Sequence, residues 1–346
     1  MQNSTSLVAK RWWLIILLGL LALILAHFMA LIYRIEPAVS LWFPPSGVAI
    51  ALTLWFGPIG AVLTGVASAI MAPLWGNDGW TRIGSLTDVT EPLVAWFLYR
   101  RCWQGTLSPQ RLRDAAAFTL SAPLVACATS AVVGSLGLVA LGKMPIDKLA
   151  TSIPQWWLGN AIGTIALAPT ALLVFTPLLL RWGWLPPSDQ ESMGCEPLPR
   201  PDSRSLVAEA IAILILSVGT AALTVSKIDS AGFAFQQLSF LSFVPILWAA
   251  IRFGVTGGMI TSTFCVLVTL FAYLFAYPHA ITSNSFPVSS GILSVHKLSL
   301  LVQCAVSLFV GTATTERAAT QVALAVERVR AGEYQARAEL HDQLIH

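Results

Sequence analysis

The feature that most constrains this chain is a series of long, almost uncharged apolar blocks. Of its 346 residues, 56% are hydrophobic and 11% are charged, less than half the usual charged fraction of about 25% in soluble domains. The blocks are ~17–25 residues long, the length of a helix that crosses ~30 Å of hydrocarbon. They lack the two-residue alternation of barrel strands, so only helices can satisfy their backbone groups in lipid. The sequence predicts an all-α, polytopic helical membrane bundle.

About ten membrane spans are predicted, at 12–33, 40–57, 59–76, 83–100, 114–141, 154–180, 205–225, 237–252, 255–277 and 294–313. An arrangement of eight spans stays open, in which the short pairs around Gly57-Pro58 and Phe253-Gly254 merge. No internal repeat is evident. The predicted domains are an N-terminus at 1–11, a membrane domain at 12–314 with a Pro/Ser-rich linker at 182–204, and a helical arm at 315–346.

The basic residues predict an orientation. With the N-terminus in the cytoplasm, inner loops receive roughly twice as many Lys and Arg residues as outer loops, where Lys297 is one of a scattered few. We therefore expect a bacterial inner-membrane protein with both termini in the cytoplasm. The modest net charge of +3 gives no support for nucleic-acid binding. The five cysteines and five histidines match no metal-binding motif, and no cofactor motif is present.

The fourth span contains two acidic residues, Asp88 and Glu91. Ionisable groups within a membrane are costly and often functional, and a separation of three residues puts both on one helix face. Pro92 follows them and frees a backbone carbonyl nearby. One interpretation is a ligand- or proton-responsive site inside the bundle. The alternative places Asp88 at the outer interface and gives Glu91 a structural hydrogen bond.

Two further motifs suggest polar or irregular structure at membrane depth. The first is Trp42-Phe43-Pro44-Pro45, in which the prolines force an extended or broken entry to a helix. It predicts a cavity wall or a simple helix start at the outer interface. The second is Trp157-Leu158-Gly159-Asn160, with Gly163 one turn later. The glycines allow close helix contact, and Asn160 either joins helices or contacts a ligand.

The tail from Thr315 to His346 changes in composition. It is rich in Ala, Glu, Arg and Gln and has no proline, so it favours a helix. Val322, Val326 and Val329 form part of a heptad seam. We interpret the tail as a cytoplasmic helix that continues the last span and forms a homodimer, with a solvated amphipathic arm as the alternative.

These motifs, in their order along the chain, resemble the first class of bacterial membrane-associated sensor domains, the MASE family. The resemblance covers roughly residues 12–317 and rests on Trp42 to Gly47, Glu91, Trp157 to Pro169, Pro245 to Gly254 and Thr315-Glu316-Arg317. In that family an acidic residue is usual at the position of Asn160. The resemblance implies an input module that is followed by a histidine kinase, a diguanylate cyclase or a phosphodiesterase.

The end of the tail also resembles the phosphoacceptor box of one class of histidine kinase. That resemblance implies His341 as the phosphorylated residue and Asp342 as its base, although Ala338 stands where the box has arginine. A chance Leu-His-Asp in a linker is the alternative. The chain contains no ATP-binding domain, so it holds no complete catalytic domain and its status as an enzyme is uncertain.

The sequence thus predicts a sensory module whose ligand-binding residues are Trp42, Pro44, Pro45, Asp88, Glu91, Trp157 and Asn160. A stimulus would pass through the last span to the output domain, with a histidine kinase favoured over a cyclic-di-GMP enzyme. The expected partners are the lipid bilayer, a second copy of the chain, and either a small-molecule ligand or another membrane protein. A secondary transporter or channel, or a scaffold for a partner membrane protein, is the alternative function.

Overall fold

The computed structural model describes residues 12–36, 39–186, 203–226, 240–276 and 290–345. Ten α-helices occur in these residues, numbered here in chain order: α1 Trp12–Ile32, α2 Pro44–Phe56, α3 Pro58–Met71, α4 Thr90–Trp96, α5 Leu112–Thr119, α6 Cys127–Ala140, α7 Leu149–Arg181, α8 Ser203–Ser226, α9 Phe243–Ala276 and α10 Ser290–Ile345.

Shorter elements extend or join these helices. The 3-10 segments are Ala72–Trp75, Gly79–Val89, Ile146–Lys148 and Phe240–Ser242, and the π-helical segments are Phe97–Cys102 and Leu120–Ala126. The second π segment joins α5 to α6 around Pro123, whose ring interrupts the α-helical hydrogen bonding. A small antiparallel ribbon, β1 Arg34–Glu36 and β2 Val39–Ser40, connects α1 to α2.

The predicted all-α membrane bundle is confirmed, and the number of spans is approximate. Seven helical segments are long and apolar enough to cross a membrane: Trp12–Ile32, Pro58–Trp75, Leu112–Ala140, Ile146–Arg181, Leu206–Ser226, Phe240–Ala276 and Ser294–Arg337. The predicted spans 40–57 and 83–100 correspond to the 13-residue α2 and to a mixed helix around α4. The pair 237–252 and 255–277 corresponds to the two parts of α9, which meet at Gly254, where the backbone is non-helical.

Two glycine turns divide the bundle at equivalent sequences, Phe56-Gly57-Pro58-Ile59-Gly60 and Phe253-Gly254-Val255-Thr256-Gly257. Gly57 ends α2 with φ 67° and ψ −151°, and Gly254 breaks α9 with φ 67° and ψ −160°. Side chains with a Cβ rarely adopt this conformation, so glycine is required at both places. The two turns therefore have nearly the same backbone conformation.

The lipid-facing surface and the interior separate clearly on α1. Trp13, Leu17, Leu21 and Leu25 recur every four residues and are exposed, as expected for a helix face in contact with lipid. The opposite face buries Gly19, Leu23, His27 and other residues against the bundle.

The centre of the bundle is held by close backbone contact between α2 and α7. A Cβ added to Gly163 would lie 2.0 Å from the backbone oxygen of Phe43, and one added to Gly47 would lie 2.3 Å from the backbone oxygen of Gly163. Gly159 similarly approaches the backbone oxygen of Ser40. Close contact at Gly159 and Gly163, which the sequence predicted, therefore occurs against the extended segment that leads into α2.

Some sequence-based predictions lie outside the described residues: the N-terminus 1–11, most of the linker 182–204, Cys195 and His346. The other four cysteines, Cys102, Cys127, Cys265 and Cys304, are free thiols.

Candidate functional site

A cavity of about 70 Å³ lies between α1, the extended segment before α2, the Gly79–Val89 segment, α6 and α7. A bound water needs roughly 10–15 Å³ of such space, so this cavity has room for several waters or a small ligand. Its wall includes aromatic rings and polar groups, among them His27, Phe43, Ser68, Trp75, Asp88, Trp156 and Asn160. We call it the main cavity.

Three rings form a ring cluster on one side of the main cavity: His27, Phe43 and Trp75. Their centroids are 5.6 Å apart for His27 and Phe43, 6.0 Å for Phe43 and Trp75, and 6.5 Å for His27 and Trp75. All three pairs are edge-to-face, an arrangement that adds to the stability gained from burial. The guanidinium carbon of Arg34 lies 5.8 Å from the Trp75 ring centroid, a cation–π contact.

A second, smaller cavity of about 10 Å³ adjoins the first. The two share Phe43, Ser68, Asp88 and Asn160 in their walls, and the smaller one also reaches Glu91. Its volume matches that of about one water molecule. The two carboxyl groups of the fourth predicted span therefore line one connected polar region inside the bundle.

Glu91 is the centre of a buried hydrogen-bond network. It is 3% exposed, and its Oε2 accepts a hydrogen bond of 2.6 Å from the Asn160 side-chain amide. The Cys127 thiol donates to Oε1 at 3.4 Å and also lies 3.3 Å from the Thr164 hydroxyl. This network joins α4, α6 and α7, so Glu91 fixes three helices relative to one another.

Two buried polar atoms beside the main cavity have no hydrogen-bond partner within the described ranges. They are His27 Nδ1 and Trp75 Nε1. His27 is 2% exposed, so its side chain is not in contact with bulk solvent. Buried polar groups are normally satisfied, and an unsatisfied set around a cavity indicates a place for a polar ligand or ordered water. No group of three His, Cys, Asp or Glu side chains suited to a metal occurs in the same ranges.

The structure brings together three of the predicted ligand-binding residues, Asp88, Glu91 and Asn160. Pro45 lines the smaller cavity. Trp42 and Pro44 are buried next to this region but line neither cavity.

Trp157 does not line the main cavity, whereas its neighbour Trp156 does. The Trp157 indole instead donates a 2.8 Å hydrogen bond to the backbone oxygen of Pro123. His341 and Asp342 lie far along α10, and only their helical backbone belongs to the described structure.

Sequence reasoning missed the aromatic side of the main cavity. His27 was a lone histidine in an apolar helix, and Trp75 and Trp156 carried no spacing signal that linked them to Asp88. The only available signal was a histidine facing the bundle, because a buried imidazole needs hydrogen-bond partners. Here His27 Nε2 lies 3.3 Å from the Ser68 hydroxyl, which belongs to the wall of both cavities.

Lys297, which the sequence placed at the outer end of the span 294–313, is fully buried. It is 0% exposed and lies on α10, inside the bundle. Its Nζ donates to the backbone oxygen of Ser40 at 3.0 Å and to the backbone and side-chain oxygens of Gln155 at 3.3 Å. Ser40 lines the main cavity, so a side chain of the final helix is bonded directly to the cavity wall.

Further along α10, two consecutive residues bind the N-termini of two other helices. Thr315 Oγ1 accepts a 3.0 Å hydrogen bond from the backbone N–H of Val255, the first residue after the Gly254 kink. Glu316 Oε2 accepts one of 3.0 Å from the backbone N–H of Leu112, the first residue of α5. Helix N-termini have unsatisfied N–H groups and favour negative charge, so both contacts are caps supplied by α10. We call Thr315 and Glu316 the exit clasp.

The Glu91 network gives a first testable prediction. Glu91→Gln keeps an acceptor for Asn160 and should change the free energy of unfolding by no more than about 1 kcal/mol. Glu91→Leu leaves the Asn160 amide unsatisfied and should cost about 1–3 kcal/mol. Unfolding in mixed micelles, followed by circular dichroism, measures both.

The double variant Glu91→Leu/Asn160→Leu is the control for that prediction. Replacing both partners removes the orphaned amide, so it should be more stable than the sum of the two single changes predicts. Strictly additive losses would show that the two side chains are not energetically coupled.

The fold and the site define a class: a polytopic helical membrane protein with a polar cavity bonded to its last, protruding helix. A family model, MASE1, matches residues 13–318, and the chain therefore belongs to the MASE1 family of membrane-associated sensory input domains. This confirms the resemblance drawn from the sequence motifs. No curated protein and no solved structure matches the chain.

Proposed function

We propose that this chain is the input module of a signalling protein, in which the state of the main cavity is relayed through α10 to a cytoplasmic output domain. The observation that carries the proposal is the set of contacts made by α10. One unbroken helix, Ser290–Ile345, binds the cavity wall through Lys297 and holds two helix N-termini through the exit clasp. A displacement of the cavity wall would therefore move α10, the helix that extends out of the bundle.

The Glu91 network provides a second connection to the exit clasp. Cys127 begins α6, which continues through the π segment into α5, and α5 begins at Leu112, where Glu316 binds. A movement of Cys127 with Glu91 would shift this continuous helical unit along its length. To act as a switch, the stimulus must favour one packing over another by about 1–3 kcal/mol.

The exposed end of α10 supports a dimer as the form of the output. Val326 and Val329 are 45% and 63% exposed, and the neighbouring Leu324 is 49% exposed. Valines at heptad spacing are suited to pairing with a second copy of the same helix. We propose that the module works as a homodimer in the bacterial inner membrane, with both termini in the cytoplasm.

The proposed output is a histidine kinase, with a cyclic-di-GMP enzyme as the second choice. The similarity of the segment around His341 to a phosphoacceptor box supports the kinase. In that case His341 accepts the phosphoryl group and Asp342 serves as its base. A kinase chimaera that still incorporates phosphate after His341→Gln would exclude this assignment.

Insertions into α10 test the relay without knowledge of the stimulus. A reporter kinase or cyclase is joined after residue 346, and residues are inserted after Ala331, where α10 is exposed. Four residues rotate the following helix out of the heptad phase, and seven restore it. We expect the four-residue insertion to change the output by roughly fivefold or more, and the seven-residue insertion to leave it near the original level.

The control is the same four-residue insertion at the exposed turn of Trp182 and Gly183, which lines neither cavity and is not part of α10. It should leave the output unchanged. An output that does not depend on insertion length would contradict the relay. It would favour a function that the membrane domain performs without an output domain, such as transport.

A further inference from the structure

We propose that the main cavity binds a small organic cation of the alkylammonium class. The inference rests on the proposed function only in taking this ligand as the stimulus; binding itself is a separate property of the cavity. The argument uses the charge of the cavity wall, its aromatic composition and its unsatisfied polar atoms.

The wall contains two carboxyl groups, and its one basic side chain among the described residues is His27, while the buried Lys297 ammonium is bonded to the Ser40 backbone oxygen at its edge. Asp88 lines both cavities and Glu91 lines the smaller one. Neither lysine nor arginine lines either cavity within the described residues, and Arg34 contacts Trp75 from outside the wall. The only ion pair between the described side chains is Arg252 with Glu209, on other helices. Glu91 is already bonded to Asn160 and Cys127, so Asp88 is the carboxyl group that faces a cation in the main cavity.

The aromatic side chains fit the same ligand. Phe43, Trp75 and Trp156 line the main cavity together with Asp88. Several aromatic rings around an acidic group form the arrangement that recognises ammonium groups, because ring faces attract positive charge without a strong hydration requirement. The contact between Arg34 and Trp75 shows that this ring already receives a cation.

The unsatisfied atoms indicate that the ligand has a polar end as well. His27 Nδ1 is buried beside the main cavity and Trp75 Nε1 is an unused donor in its wall. A hydroxyl or carbonyl group on the cation could satisfy them. An amino alcohol combines the two requirements, an ammonium group for Asp88 and the rings and an oxygen for the unsatisfied atoms.

The test is binding of choline to the purified full chain in lipid nanodiscs, read from tryptophan fluorescence and from the thermal unfolding midpoint. The matched control ligand is 3,3-dimethylbutan-1-ol, which has the shape of choline without its charge. We expect saturable quenching and a higher midpoint with choline, and neither with the alcohol at the same concentration.

Variants locate the site. Asp88→Asn should weaken choline binding by about tenfold or more, and Trp75→Leu by about threefold or more. Asp147→Asn, which changes an exposed acidic residue outside the cavity, should bind as the unmodified chain does. If Asp88→Asn fails to fold, Trp156→Leu provides the second measurement.

Three results would overturn the proposal: equal effects of choline and the alcohol, unchanged binding in Asp88→Asn and Trp75→Leu, or a response to pH with none to choline. The last would identify a proton-responsive site. Choline binding without any change in the output of the chimaera leaves the ligand inference standing and rejects the relay. An output that depends on the length of the insertion in α10, without choline binding, supports the relay and rejects the ligand inference.

Discussion

Replacing Gly163 by alanine is expected to destabilise the bundle by about 3 kcal/mol, the upper end of the usual cost of overpacking. The added Cβ would lie 2.0 Å from the backbone oxygen of Phe43 and 3.2 Å from the backbone nitrogen of Pro44. Backbone atoms cannot relieve a steric clash by a rotamer change, as a flexible side chain can. The contact is relieved only if α2 and α7 separate, which also disturbs the cavity wall at Phe43 and Asn160.

The matched control is Gly219→Ala on α8, where an added Cβ meets no atom within 4 Å. Alanine has the higher helix propensity, so this variant should be unchanged or more stable by about 0.5–1 kcal/mol in a helix of the same kind. Thermal unfolding in detergent and the yield of monodisperse protein compare the two variants. Similar midpoints for Gly163→Ala and Gly219→Ala would show that α2 and α7 are not in close backbone contact.

The second large effect is expected from Lys297→Met in a reporter chimaera. The substitution keeps the length of the side chain and removes its bonds to Ser40 and Gln155. A buried charge costs desolvation energy, so its loss offsets part of the lost hydrogen bonding, and we expect stability to change by less than about 2 kcal/mol. The relay, in contrast, loses its direct bond to the cavity wall.

That loss can be measured without a ligand. In the chimaera that retains Lys297, Asp88→Asn should change the output, because it alters the wall of the main cavity. In the Lys297→Met background the same change should have at most about a tenth of that effect. Lys148→Met removes an exposed lysine and should leave the effect of Asp88→Asn intact. Equal effects in all three backgrounds would show that the cavity reaches the output by another route.

The helices of this chain were predictable because hydrophobic length is a strong signal in a membrane protein. The boundaries at Gly57 and Gly254 were marked by glycine, and the structure places turns at both. The number of spans was less predictable, because α2 and α4 are short and depend on packing rather than on their own hydropathy. Hydropathy reflects the average polarity of a segment. It does not show how a short helix packs against neighbouring helices.

The candidate site was half predictable for a similar reason. Asp88, Glu91 and Asn160 stood out because polar side chains are rare in such segments, and they meet in one region. Trp75 and Trp156 could not be distinguished from tryptophans at the membrane interface, since composition is the same in both settings. The burial of Lys297 was not predicted, because it was counted only as a basic residue of the outer side. Its environment of carbonyl oxygens comes from β2 and α7, more than a hundred residues away in sequence.

The attachment points of α10 limit the kind of motion that this helix can transmit. Lys297 and Thr315 are 18 residues apart, which is five turns at 3.6 residues per turn, so both lie on one side of the helix and roughly 27 Å apart along it. Glu316 lies about 100° further around the helix and is bonded to a different element, α5. A rod fastened on two faces resists rotation about its own axis, so a displacement at the cavity would arrive at the far end of α10 as a piston stroke or a change of inclination, with the helix phase preserved.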